Sequence, residues 1–140
     1  MTADSLPGEV SRLVVDSGVV LRLAAGDREV APRHKLLAPT LLRSQILSAL
    51  HEAVHSGKLE PKAGLERLAR FNRMLVRLLG DAVLRRRAWA IADQLGWDET
   101  YTAEYIALTQ LQGDAFLTLD KKLARRVSRL VDVVGLEALT

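Results

Sequence analysis

Leu13-Val14-Val15-Asp16 and Ala115-Phe116-Leu117-Thr118-Leu119-Asp120 decide how this chain is read. Each is a short apolar run that ends on an aspartate. Short apolar runs bounded by polar turns fit strands buried on both faces of a parallel sheet. In an open α/β sheet, ligands gather in the crevice beyond the carboxyl ends of the strands. Two carboxylates delivered there, from opposite ends of the sequence, form an acidic pocket. Their repulsion raises a pKa unless a cation lies between them, which points to a hard divalent metal.

Outward from these runs the hydrophobic period alternates between strand and helix. A first strand spans 12–16, with a short helix from Gly18 to Ala25 and a charged connection closed by Pro32. Leu36-Leu37-Ala38 is a second strand, stopped by Pro39. Thr40 is placed to cap a helix from Leu41 to Ser56, whose apolar face is Ile46, Leu47, Leu50 and Val54 and whose end is Gly57. Pro61 opens another helix as a first-turn proline, with Leu65, Leu68, Ala69 and Leu75 inward. Val76–Leu79 is compatible with a third strand. A helix from Ala82 to Leu95 stops at Gly96, and Asp98 is placed to cap a helix over 99–112. Strand 115–119, helix 121–130 and strand 131–134 complete the chain. Strands separated by helices imply βαβ units, hence an α/β protein with a mainly parallel sheet. One domain over 1–140 is expected, with residues 1–11 flexible.

The 140 residues are 49% hydrophobic and 26% charged, the profile of a soluble globular chain with enough core to fold. No apolar run approaches a spanning helix, and Met1–Glu9 does not read as a signal peptide, so no membrane partner and a cytoplasmic location are expected. The absence of cysteine excludes disulfides, thiolate zinc sites and cysteine nucleophiles. The net charge is +3, with fifteen arginines and five lysines. Arginine's planar fork suits phosphate, but the distribution of charge decides a nucleic-acid partner more than the total does.

At this point the sequence resembles the PIN-domain family, and within it the VapC-type toxins of toxin–antitoxin pairs. Four segments carry the resemblance, in order and at matching spacing: Val14-Val15-Asp16-Ser17, Ala38-Pro39-Thr40-Leu41-Leu42-Arg43-Ser44, Ala103-Glu104-Tyr105-Ile106-Ala107-Leu108 and Leu117-Thr118-Leu119-Asp120-Lys121-Lys122-Leu123-Ala124. The resemblance implies a three-layer α/β/α sandwich and an endoribonuclease dependent on Mg²⁺ or Mn²⁺. It also implies a homodimer, and a small antitoxin whose C-terminal segment occupies a groove near the acids. Asp16 and Asp120 fall on the first and last of the family's four acidic positions. Gln45 stands at the second and Thr102 at the third, so reduced activity is expected. The alternative is a degenerate PIN domain that binds RNA or a protein without cutting; a purely structural scaffold is a third option.

The residues themselves support and limit that chemistry. Mg²⁺ is held by one or two carboxylates together with water and substrate phosphate. Asp16 and Asp120 are therefore the catalytic and metal-ligating candidates, although each alone also reads as a helix cap. Asp98 and Glu104 are the acids that would make up the missing charge. Asp98 reads first as a helix cap, and Glu104 equally as a partly buried carboxylate paired with an arginine. Ser17 and Thr118 are expected to orient the two aspartates through their hydroxyls, and Gln45 and Thr102 to hydrogen-bond nearby. Lys121, Lys122 and Arg125, with Arg126 and Arg129, recur at helical spacing after Asp120. They suit an RNA backbone, or equally a solvated helix face. Arg85-Arg86-Arg87 reads as solvated or interface-forming, and His51 and His55 as surface residues.

Overall fold

The computed structural model describes residues 11–140. The expectation of a flexible leader lies outside the described residues, apart from Ser11. That residue is ordered in the first strand, where it pairs with His34. Among the described residues five strands form one all-parallel sheet: β1 (Ser11–Val15), β2 (His34–Pro39), β3 (Val76–Leu79), β4 (Ala115–Leu117) and β5 (Val133–Val134). The helices are α1 (Ser17–Ala24), α2 (Leu42–His55), α3 (Pro61–Arg73), α4 (Ala82–Leu95), α5 (Tyr101–Gln112) and α6 (Lys121–Val127), with a 3₁₀ turn at Leu136–Leu139.

The strand order is β3-β2-β1-β4-β5. The chain moves outward from β1 through β2 to β3, then crosses back to β4 and continues to β5. Parallel crossovers are right-handed, so this reversal puts the outward helices and the returning helices on opposite faces. Accordingly α1 packs with α2 and α3, while α5 lies over β1, β2 and β4 and carries α4 on its back. The fold is a three-layer α/β/α sandwich. Its order reverses between β1 and β4, the place where such sheets open a ligand crevice.

The central strands are apolar because both their faces are covered. Val14, Val15, Phe116 and Leu117 are fully buried, as are Ile106 and Leu108 above them. Each such side chain contributes about 1.5–3 kcal/mol relative to exposure.

Helix ends follow local chemistry in several places. Asp81 accepts from the Leu84 N–H at 2.8 Å, Pro61 opens α3, and Gly96 closes α4 at φ 70°. In two others they do not. Neither Thr40 nor Asp98 caps a helix. The α2 cap position is Leu41, without a side-chain bond, and Tyr101 N–H is taken by the Glu99 carboxylate at 3.0 Å. The strand over 115–119 ends at Leu117, because Thr118 turns its hydroxyl to the neighbouring aspartate instead of continuing the ladder. The last helix stops at Val127, and the last strand is confined to Val133–Val134.

The inward face of α3 differs from the apolar pattern. Gly64, Leu68 and Phe71 face the core, whereas Leu65 is 68% exposed, Ala69 is exposed, and Leu75, beyond the helix, is 93% exposed. The cause is Gly64. A Cβ there would lie 2.6 Å from Val54 Cγ2, so α3 presses its bare backbone against α2. That rotation leaves Leu47 of α2 and Leu65 of α3 lining an outward apolar cleft of about 240 Å³. His51 and His55 are exposed and stack with ring centroids 6.4 Å apart. Among the described residues no helix is long and apolar enough to cross a membrane.

Candidate functional site: an acidic crevice at the sheet reversal

β1 and β4 lie side by side, with Val15 level with Leu117. The next residue of each chain enters the crevice. Asp16 is the N-cap of α1, and its Oδ1 accepts from the Val19 N–H at 3.0 Å. Its Oδ2 accepts from the Thr118 hydroxyl at 2.5 Å. Thr118 Oγ1 in turn accepts from the backbone N–H of Asp120 at 3.1 Å. Asp120 caps α6, its Oδ1 accepting from the Leu123 N–H at 3.0 Å. One buried hydroxyl thus links two acidic loops that are 102 residues apart. The strand-end aspartates act as helix caps and as neighbours at one site at the same time.

Electrostatics mark the crevice as charged against its own interest. Burial pushes the Asp16 carboxyl above its ordinary 3.8, and the nearby Asp120 charge pushes it further; the Thr118 and Val19 hydrogen bonds pull it back in part. An acid that is partly buried beside a second acid is set up for a cationic ligand.

A second cluster borders the first. The Tyr105 hydroxyl donates to Gln45 Oε1 at 2.5 Å, joining α5 to the first turn of α2. Tyr105 rests against Phe116 of β4, with ring centroids 6.4 Å apart. Burial, then the charges of Asp16 and Glu104, hold this phenol protonated far above its ordinary range. Both carboxylates therefore lie within electrostatic reach of Tyr105. Burial also raises the Glu104 carboxyl, while the Arg85 charge lowers it. Arg85, read from the sequence as solvated or interface-forming, is exposed yet acts on Glu104 from α4. Tyr105 is the residue that sequence reasoning passed over as a site member. An aromatic with a hydroxyl, within a helix otherwise turned to the core, was the available signal, since a buried phenol needs a partner.

The remaining candidates sit around these two clusters. Ser17 is half-buried at the first position of α1, and Thr102 is half-buried in the first turn of α5. Asp98 is exposed ahead of α5. Lys121, Lys122 and Arg125 are exposed on α6 directly after Asp120. Arg126 is committed elsewhere, donating to the Leu95 carbonyl at the end of α4.

The donor set suits Mg²⁺ or Mn²⁺ only in a sparse form. No group of three or more acidic, histidine or cysteine side chains stands together to hold a metal among the described residues. Two adjacent carboxylates do fit a hard cation that keeps several waters. The Gln45 carbonyl already accepts from Tyr105, which leaves one of its two acceptor positions.

No protein-family model matches this chain, and no curated protein matches it. Among solved structures it is similar to the crystal structure of PAE2754 from Pyrobaculum aerophilum. That likeness has a TM-score of 0.71 and covers 96% of this chain and 95% of that one, at 20% identity. At this identity the likeness shows the fold alone. What fold and site define together is an α/β/α sandwich with a two-aspartate crevice at its sheet reversal.

Proposed function

We propose that this protein is a divalent-metal-dependent endoribonuclease of the PIN, VapC-like type, of reduced activity because its acid set is sparse. The observation that carries the reading is the pairing of Asp16 and Asp120 through Thr118 at the point where strand order reverses. Asp16 and Asp120 would hold Mg²⁺ or Mn²⁺. When bound, such an ion makes a water more acidic and neutralises charge developing on a phosphate. Thr118 and the Val19 N–H keep the Asp16 oxygens oriented before any ligand arrives, so little reorganisation is left for binding. Glu104, whose charge acts on Tyr105 as that of Asp16 does, would serve as the proton acceptor. Gln45 has no such capacity. Lys121, Lys122 and Arg125 would contact the RNA backbone next to the acids. On the same reading the protein works in the cytoplasm as a homodimer, restrained by a small antitoxin.

One observation favours a second reading, a PIN-like domain that binds RNA or a protein without cutting. The oxygen of Gln45 is engaged by Tyr105, and a third acidic ligand is missing from the described residues around Asp16 and Asp120. A single experiment separates the two. Cleavage and binding of a single-stranded RNA are measured together, with Mn²⁺, with Mg²⁺ and with chelator, for the wild type, Asp16→Asn and Asp120→Asn. Metal-dependent cleavage lost in both variants supports the nuclease. Binding with no cleavage in any arm supports the binder. Cleavage that survives chelator and both substitutions defeats the site assignment.

A further inference from the structure

A second charged feature lies at the other end of the strands. β1, β2 and β3 each carry a cation at their second position: Arg12, Lys35 and Arg77. Arg12 is level with Lys35 across the first pair, and Leu37, two residues beyond Lys35, is level with Arg77 across the second. Side chains alternate along a strand, so all three cations leave the same face of the sheet. It is the face of α5, since Val14, two residues on from Arg12, meets the chain at Gly113 just after that helix. All three are exposed.

Parallel sheets are ordinarily covered by apolar packing on both faces. Here the amino-terminal corner of β1, β2 and β3 opens into a cavity of about 610 Å³ lined by Arg12, Lys35 and Arg77. Gln112 from the end of α5 adds an amide, and Leu37 and Met74 are among its apolar walls. Among the described residues no carboxylate lines it. An anion placed between Arg12 and Lys35, which are level across the parallel pair β1 and β2, would offset the repulsion of their like charges.

We propose that this cavity binds a phosphate-bearing small molecule of mononucleotide size. Three cations more than offset the roughly two negative charges of a phosphate monoester, and two arginine forks supply the paired donors that its oxygens accept. The apolar walls suit an uncharged body such as a base, and the volume lies in the ordinary range for small-ligand sites. The site is separate from the acidic crevice. Arg12 of β1 and Asp16, the residue just beyond that strand, are four residues apart along extended backbone, about 13 Å.

The test is calorimetric titration of the full chain with AMP and with inorganic phosphate. Wild type is compared with the triple variant Arg12→Gln, Lys35→Gln, Arg77→Gln and with Arg86→Gln, an exposed arginine on α4 that lines no part of this cavity. Circular dichroism checks that each is folded. Saturable one-to-one binding of AMP is expected, stronger than that of phosphate, weakened at least about tenfold in the triple variant and unchanged in Arg86→Gln. Absence of saturation at millimolar AMP overturns the proposal, and so does equal weakening by Arg86→Gln. A single-stranded oligonucleotide that binds through the three cations while AMP does not would also overturn it, in favour of a nucleic-acid surface.

Discussion

Thr118 uses a single oxygen to donate to Asp16 and to accept from the Asp120 amide, so its removal separates two effects. Thr118→Val keeps the volume and deletes the hydroxyl. A hydrogen bond to a charged group is worth about 1.5–3 kcal/mol, and a loss of that size is expected in urea unfolding at neutral pH. Loss of an orienting partner of this kind also weakens metal binding by about 10–100-fold, measurable by titration with Mn²⁺. Asp16→Asn should move stability the other way. The folded pKa of Asp16 lies above 3.8, so the stability linked to its protonation is present below 3.8 and lost as pH rises through the raised value. Asparagine still caps the helix and carries no charge. Without metal, therefore, the variant should match the wild type in acid and exceed it near neutrality, a crossover read from thermal midpoints across pH. Saturating Mn²⁺ should reverse the order, adding about 2.7 kcal/mol to the wild type at one hundred times its Kd and nothing to the variant. A midpoint gap that ignores both pH and metal would refute the role given to Asp16.

At the scale of elements, the contact between α2 and α3 depends on an absent side chain. Gly64→Ala introduces a Cβ 2.6 Å from Val54 Cγ2, and a branched methyl has little room to turn aside. Over-packing of this kind costs about 2 kcal/mol, while alanine returns about 1 kcal/mol in helix propensity. A net loss of about 1 kcal/mol is expected in denaturant unfolding. Combining it with Val54→Ala should recover most of the strain, so that the two substitutions are less harmful together than their separate costs predict. Strict additivity would show that the helices do not meet at Gly64.

Across the whole molecule, the strand order places an acidic crevice at the carboxyl ends of β1 and β4, with exposed cations on α6 beside it. If Lys121, Lys122 and Arg125 each contact a phosphate, binding of single-stranded RNA should weaken with salt. The expected log–log slope is about −2, from about −0.7 per contact. Lys122→Gln should make that slope shallower by about 0.7 and weaken all RNA sequences alike. Arg126→Gln should instead lower stability and leave the slope unchanged, because its guanidinium holds the end of α4. A slope that does not respond to Lys122 would move RNA binding to another surface.

The sequence by itself determined the alternation of strands and helices, the α/β class and the positions where two strands run into aspartates. These follow from apolar period, β-branching, proline and glycine, which act over a few residues of chain. Gly57 and Gly96 ended helices as read because a positive φ, 81° and 70°, is a local requirement that glycine meets. Only the tertiary structure decided which strands are neighbours, and hence that Asp16 and Asp120 share a crevice. It alone turned Leu65 outward, since a glycine contact leaves no mark in a hydrophobic pattern. It gave the caps of α2 and α5 to residues other than Thr40 and Asp98, and it joined Tyr105 to Gln45 and Thr118 to Asp16. Those last two bonds span 60 and 102 residues. Local propensity has no term for a partner so distant; packing of the sheet between its two helical layers supplies it.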